Sequence, residues 1–340
     1  MPGRRAAALF AMRRDVAEAA FPAAGRDRLD ALVEIDRHLT VTDFGAARAR
    51  ESLGDAEILL TGWGCPMLDA EVLDAAPNLR AVIHAAGSVK HHLGPDFWAR
   101  GILASSAADA NAYPVAQFTL SLILLSGKRT FEMARRYAEG GFKEAATSPR
   151  FGNVGRTVGV IGASRIGRLV LPMLAREGFR VLLSDPTLTA AGAAVLVPAP
   201  GSVELVELDE LLRRSDVVTV HAPSLPETRH LLDDARLSLM RDGSVLVNTA
   251  RGALVDTEAL VRHCAAGRID AFLDVTDPEP LPPGHPLFLL PNVVVTPHLA
   301  GAMGTEVAAL GDFAIDEVER YLKGLPLLGA VREDDLARIA

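Results

Sequence analysis

Cysteine is almost absent from this chain. Cys65 and Cys264 are the only two, too few for a disulfide framework in 340 residues and in keeping with a reducing cytoplasm. Long apolar runs are missing too. No stretch is long enough to span a bilayer. The apolar run from Ala6 to Met12 is too short for the core of a secretion signal, and Arg13 and Arg14 end it. The chain also lacks any block of Lys and Arg with interleaved aromatics, and its net charge is −8, so nothing recommends a nucleic-acid face. An anionic ligand must then be drawn by a local cation and not by the global field. These absences point to a cytoplasmic protein with neither a membrane nor a nucleic-acid partner.

What is plentiful is apolar. Hydrophobic residues make up 49% and charged residues 23%, enough to fill a large core, and the length suggests two domains. One stretch organises the rest: T-V-G-V-I-G-A-S-R-I-G at 157–167. Val158, Val160 and Ile161 form an apolar run of the length of a buried parallel strand. A turn at Gly162 leads into a helical pattern through Ile166, Leu169, Val170 and Leu174. Gly162 and Gly167 hold the first and third positions of the G-x-G-x-x-G dinucleotide fingerprint, in which free N–H groups at the helix start face a pyrophosphate. Ser164 stands at the middle position, where the fingerprint has glycine; its hydroxyl is able to donate to a phosphate oxygen. The next strand, from Phe179 to Ser184, ends in Asp185, about 20 residues past the glycines, where an acid accepts from the ribose 2′-OH. Pro186 and Thr187 follow with no neighbouring Arg or Lys for a 2′-phosphate, which favours NAD over NADP.

Before this motif, apolar strands are expected over Ala6–Met12, Glu57–Leu60, Arg80–His84 and Ile102–Ala104, with a short helix through Leu29, Leu32, Val33 and Ile35. A long helix opens at Val115 and runs toward Ala138, and a polar loop then extends from Gly140 through Asn153. After the motif come strands at Val195–Val197, Val217–Val220, Val245–Asn248, Ala271–Asp274 and Val293–Thr296. Helices alternate with them around Leu208–Leu212, Ala235–Met240 and Thr257–Ala265, and a last helical stretch covers Gly301–Leu322. Such alternation predicts an α/β fold with parallel sheets. Because the fingerprint sits mid-chain, a Rossmann-type NAD-binding domain (112–301) is expected to be inserted into a smaller flavodoxin-like substrate domain (1–111 plus 302–340).

Three polar side chains stand just past strands of the second half: Arg251 after V-L-V-N-T-A, Glu279 after L-D-V-T-D-P and His298 after V-V-V-T-P. Each alone reads as a surface ion pair, a solvated acid or a helix-start residue. A cation, an acid and an imidazole at the carboxyl edge of one sheet that also binds a dinucleotide read as catalytic. With them, the chain resembles the D-isomer-specific 2-hydroxyacid dehydrogenases. The resemblance rests on G-A-S-R-I-G (162–167), S-D-V-V-T-V-H-A-P (215–223), N-T-A-R-G-A-L-V-D (248–256), D-V-T-D-P-E-P-L-P (274–282) and T-P-H-L-A-G (296–301), and runs from about Ala81 to Val331. N-A-Y-P-V-A-Q (111–117) fits less well, with Gln117 where a Glu is usual.

The resemblance implies hydride transfer between nicotinamide and substrate C2 in a small 2-oxo or 2-hydroxy acid, running mainly as a reductase. Arg251 would bind the substrate carboxylate, and His298 would be the acid/base. Glu279 would hold the imidazole in its charged form. It also implies cofactor contacts from Gly162, Ser164, Arg165, Ile166, Gly167, Asp185, His221, Ala222, Pro223, Thr228, Thr249, Ala250, Arg251, Asp274, His298 and Gly301, with Asp274 at the carboxamide edge. Backbone N–H groups of Ala86, Gly87 and Ser88 would join Arg251 and His298 on the substrate. No metal is implied. Relatives pair as homodimers through the region of Val115 and Phe131–Tyr137. Glyoxylate/hydroxypyruvate reductases, and phosphoglycerate dehydrogenases without a regulatory domain, are the similar branches; Glu279 argues against the formate branch, which has Gln there. Lys90 replaces the Asp of the family's G-x-G-x-D loop, either facing solvent, as favoured here, or meeting a second acidic group. Trp63 either narrows the pocket or caps the core. A different class, an NAD(H)-sensing binding protein like the C-terminal-binding-protein corepressors, keeps this fold, but no basic patch or peptide-docking signature accompanies it here.

Overall fold

The computed structural model describes residues 5–140, 151–197 and 203–336, and within them the chain forms two compact units. One unit takes the chain up to Ala112 and again from Ala302; the other takes Tyr113–Gly301. In chain order the first unit contributes strands β1 (Ala7–Ala11), β2 (Glu34–Thr40), β3 (Ile58–Thr61), β4 (Ala81–His84) and β5 (Leu103–Ser106). The second contributes β6 (Thr157–Ile161), β7 (Arg180–Ser184), β8 (Val203–Leu205), β9 (Val217–Val220), β10 (Ser244–Asn248), β11 (Ile269–Leu273) and β12 (Val293–Val295). The chain then returns to the first unit with the helix Val307–Leu322 and a short β13 (Ala330–Val331).

In the first unit the described strands order as β13-β5-β4-β3-β1-β2, all parallel except β13 against β5. The two-residue period of a strand sends Leu9 and Ala11 into one core and Ala8 and Phe10 into another. Helices cover both faces, so β3 and β4 are buried along their whole length. The returning helix Val307–Leu322 supplies Ala314, Ile315 and Val318 to the core behind Phe10. It crosses so closely that a Cβ on Gly311 would lie 1.7 Å from the Ala20 carbonyl oxygen. A fully buried carboxylate, Glu317, fixes this return. It accepts from Ser105 Oγ and from the backbone N–H groups of Leu328 (2.9 Å) and Gly329 (3.0 Å), satisfying a charge that burial otherwise makes costly. Asn111 joins the two crossings, its Oδ1 accepting from Ala302 N at 2.9 Å.

In the second unit the described order is β12-β11-β10-β9-β6-β7-β8, parallel throughout. The chain builds outward from β6 through β7 to β8 and then crosses back to β9, so strand order reverses between β6 and β9, where open α/β sheets leave a crevice at their carboxyl ends.

Several elements differ from expectation. Ile35 lies in β2, not in a helix; the helix Ala23–Leu32 stops short of it. The strand E-I-D-R-H-L-T is a half-exposed edge whose pairing with β1 slips between Ala8 and Phe10, so it never shows the solid apolar run of a central strand. The long helix is two, Ala108–Ser126 and Thr130–Gly140. Asn153 occupies the break: its Oδ1 stands 1.7 Å from where a Gly127 Cβ would be, its Nδ2 donates to Leu124 O at 3.0 Å, and Arg129 takes a φ of 50°. Val195–Val197 is a turn, with Val195 exposed, and the edge strand is β8 instead. Most of the expected polar loop after Gly140 lies outside the described residues.

Beneath the turn that follows β4, two histidines are buried together. His84 and His92 rings lie 4.5 Å apart, and Thr61 Oγ1 meets His84 Nδ1 at 2.9 Å. Burial, helped by the neighbouring His92, pushes His84 well below the usual imidazole range, and burial pushes His92 down to about 4. Both are neutral in the folded protein, whereas the unfolded chain protonates them below an ordinary value of 6.5. Stability is therefore complete above that value and falls as pH drops toward 4, by about 1.4 kcal/mol per pH unit for each histidine. Urea unfolding across this range should show that slope, and His92→Leu should reduce it by the share of one proton; an unchanged slope would refute the assignment.

Candidate active site

At the β6/β9 crevice, backbone meets backbone. Gly162 has a φ of 91°, in the left-handed region open to glycine, and a Cβ there would sit 2.8 Å from Ala222 N and 2.9 Å from the His221 carbonyl carbon. Gly167, one turn into the helix Arg165–Arg176, would place a Cβ 2.2 Å from the Gly162 carbonyl oxygen. His221 N donates to Ile161 O at 2.7 Å, which draws the loop after β9 across the glycine turn. The His221 ring is buried, pushed down to about 3 by that burial, with Nε2 on Thr219 Oγ1 at 2.9 Å and Nδ1 lacking a partner. Ser164 caps the helix in extended conformation without using its side chain, so its hydroxyl and the first N–H groups of the helix, at Arg165 and Ile166, are the donors presented there.

Asp185, just past β7, closes this turn from the other side. Its Oδ2 accepts from Ala163 N at 2.7 Å, and its Oδ1 accepts from Thr187 N at 2.9 Å and Thr187 Oγ1 at 2.6 Å. Burial works to raise the carboxyl, but the donations from Thr187 and Ala163, with the nearby charge of Arg168, overcome it and hold the group below the ordinary carboxylate value. Oδ2 thus keeps an acceptor position for a ribose hydroxyl. Arg168 corrects the expectation that no cation is near. It lies 17 positions before Asp185 in sequence, but one helical turn brings it back to the same residue, its Nε donating to Ala163 O at 2.8 Å.

The three polar residues of the later strands are brought together. After β10, Asn248 Oδ1 accepts from Ala250 N (3.1 Å) and its Nδ2 donates to Arg251 O (2.9 Å), shaping the turn that carries Arg251, while Thr249 Oγ1 meets Thr119 Oγ1 at 2.7 Å. Burial lowers the Arg251 guanidinium from its usual value and the Glu279 charge opposes that shift, so the two side chains share one electrostatic environment; Arg251 remains a cation. Gly252 allows this approach: a Cβ on it would lie 2.0 Å from the Thr276 carbonyl. Glu279 Oε1 lies 2.6 Å from His298 Nδ1. His298 has a φ of 53°, uncommon for a residue with a side chain. Asp274 maintains it. The Asp274 carbonyl accepts from His298 N (2.9 Å), and its buried carboxylate accepts from Thr296 Oγ1 (2.5 Å), Leu299 N (2.9 Å) and Ala300 N (2.9 Å).

Other expected site residues also make local hydrogen bonds. Thr228 spends its hydroxyl on its own loop, donating to Pro223 O and accepting from Leu225 N. Asp274 bonds to the His298 loop as described, and Gly301 ends the second unit. In the first unit, considered by itself, Ala86 is buried and Gly87 and Ser88 half-buried after β4. Asn111 Nδ2 lies 3.3 Å from where a Gly87 Cβ would be, a proximity that the sequence spacing conceals. Lys90, expected in solvent, is half-buried. Trp63 is 39% exposed after β3, and its carbonyl accepts from Arg13 N at 3.1 Å.

Comparison with known proteins identifies the family. Residues 120–300 match the family model described as D-isomer specific 2-hydroxyacid dehydrogenase, NAD binding domain. A glyoxylate reductase of Thermofilum pendens is 35% identical over 263 residues, 76% of each chain. The chain belongs to the D-isomer specific 2-hydroxyacid dehydrogenases. A D-3-phosphoglycerate dehydrogenase of Mycobacterium tuberculosis is 36% identical over 76% of this chain, which spans only 48% of that protein. Among solved structures, the TT0316 protein of Thermus thermophilus is 34% identical with a TM-score of 0.75, covering 95% of this chain and 99% of that one. The NAD-complexed family member of Lactobacillus delbrueckii, at 19% identity and a TM-score of 0.80 over 96% and 99% of the two chains, shares the fold. The present member thus carries the family's NAD-binding domain, and the cradle at Gly162 and Gly167, the unbonded Ser164 hydroxyl and the spare acceptor of Asp185 fit a dinucleotide. The family's substrates are small hydroxy or oxo acids. Among the described residues, no helix is long and apolar enough to cross a membrane.

Because a methyl group at Gly167 would collide with backbone, Gly167→Ala should weaken NADH binding at least about tenfold and lower stability by about 1–3 kcal/mol. Fluorescence titration and denaturant unfolding measure the two. NADH binding at wild-type strength would contradict the cradle.

Proposed function

We propose that this dehydrogenase is an NADH-preferring reductase of small 2-oxoacids, with Arg251, Glu279 and His298 as its catalytic residues. One observation carries the reading: Glu279 occupies Nδ1 of His298, so Nε2 is the nitrogen left to hold a proton for the substrate. Bound NADH supplies the hydride that C2 of the oxoacid receives. Nε2–H donates its proton to the C2 oxygen as the carbonyl becomes an alcohol, and in the reverse direction Nε2 takes that proton back. The Glu279 carboxylate, bonded at Nδ1, fixes which nitrogen carries the mobile proton. Arg251 meets the substrate carboxylate with a planar fork, in surroundings dry enough to strengthen the pairing. Asp274 acts one step back, keeping the His298 backbone in its left-handed turn.

The preference for NADH rests on the carboxylate of Asp185. Similarity to a glyoxylate reductase and to a phosphoglycerate dehydrogenase supports a short 2-oxoacid as the substrate. A homodimer is the proposed assembly, supported by exposed apolar side chains at Tyr113, Leu125, Phe131 and Tyr137. Cytoplasmic residence is proposed on the scarcity of cysteine.

His298→Gln should lower kcat for 2-oxoacid reduction by about 10²- to 10⁴-fold with NADH binding unchanged, measured by loss of NADH absorbance over a panel including glyoxylate, hydroxypyruvate and pyruvate. Full activity in this variant would end the mechanism. Arg251→Lys should raise KM for the oxoacid more than it lowers kcat, since a point charge replaces a bidentate fork; an unchanged KM would remove Arg251 from carboxylate binding.

A further inference from the structure

One residue of the glycine turn, Ala163, meets an anion at its N–H and a cation at its carbonyl. Ala163 N donates to Asp185 Oδ2 at 2.7 Å, and Ala163 O accepts from Arg168 Nε at 2.8 Å. Oδ1 of Asp185 is already taken by the N–H and hydroxyl of Thr187. A carboxylate offers about four lone-pair positions, so Asp185 has room at Oδ2 for one ribose hydroxyl and not for a vicinal pair on both oxygens. Its negative charge repels a 2′-phosphate, but that charge does not act alone. Among the described residues Arg168 anchors only its Nε and the residue is exposed, which leaves the terminal N–H groups of its guanidinium open to a ligand near Asp185, whose carboxyl feels the Arg168 charge. A guanidinium fork there is matched to a phosphate.

We propose that Arg168 is a cofactor-specificity residue, whose guanidinium offsets Asp185 and receives a 2′-phosphate, so that the turn admits NADPH as well as the preferred NADH. This rests on the reading of Asp185 as the ribose acceptor. The offset is visible in Asp185 itself, whose carboxyl is lowered in part by the Arg168 charge. Opposed charges flanking one residue narrow the gap between the two cofactors: the acid favours a free 2′-OH and the guanidinium favours a phosphate there. Because Arg168 is exposed, its contribution is screened by salt.

Calorimetric titration of the intact protein with ADP and with 2′,5′-ADP tests this without turnover. Wild type should bind 2′,5′-ADP within about tenfold of ADP at low salt, the gap widening as salt rises. Arg168→Gln should weaken 2′,5′-ADP about five- to tenfold while moving ADP less than about twofold. Arg168→Lys should recover part of the loss. Asp185→Asn should strengthen 2′,5′-ADP relative to ADP, and Arg168→Gln added to it should cancel that gain. Equal weakening of both ligands by Arg168→Gln would make Arg168 a structural support of the turn and overturn the proposal. If Asp185→Asn shifts the ratio but Arg168→Gln does not, Arg168 alone loses its role. If Asp185→Asn leaves both ligands unchanged, the ribose reading of Asp185 fails and the proposal falls with it.

Discussion

Where Gly162 passes beside the His221–Ala222 peptide there is no space for a side chain, and the same holds where Gly167 meets the Gly162 carbonyl and where Gly252 meets Thr276. These contacts of backbone on backbone lie at the carboxyl ends of parallel strands in the second unit. They bring polar loops from separate strands within hydrogen-bonding reach of one another. A methyl group at any of them pushes two loops apart, and the loops carry the donors and acceptors. The family's chemistry therefore depends on three positions that perform none of it.

Around those contacts, each chemical group is held by one that does not react. Asn248 shapes the turn bearing Arg251, Thr296 and the backbone of the His298 loop converge on Asp274, and Thr187 with Ala163 orients Asp185. The pattern suits an enzyme that works by placement. Hydride transfer needs its partners aligned, and a side chain with spare conformations loses much of its effect. His298 shows the cost of alignment most plainly, since its backbone is in a region that side chains disfavour and is kept there by the surrounding hydrogen bonds.

Much of this architecture was legible in the linear chain. Central strands such as Val217–Val220 are covered on both faces, so they appear as unbroken apolar runs, and the glycine turn has a spacing that few other structures require. Arg251, Glu279 and His298 stood out for the same reason, as polar residues following such runs, and the fold brings them near one another. The edges were not. β2 alternates polar and apolar residues like any half-exposed segment, and the helix break after Ser126 is imposed by Asn153, a residue remote in sequence. The cation beside Asp185 was sought among its sequence neighbours, whereas Arg168 reaches it through a helical turn. The bonds that Asp274 makes to Thr296, Leu299 and Ala300 were not legible, because they close only when the loop after β12 folds back on the end of β11.

The buried Glu317 clasp and the packing of Val307–Leu322 on Phe10 and Ala20 have a consequence for biosynthesis. Asn111 and Ala302, bonded to each other, are 191 positions apart. On the ribosome the second unit emerges as one continuous piece and can close its sheet as soon as β12 is clear. The first unit emerges earlier, yet its core behind Phe10 stays uncovered until the returning helix has been made. The part of the protein translated first is thus completed last, and during that interval its apolar surface is the one exposed to chaperones and to aggregation.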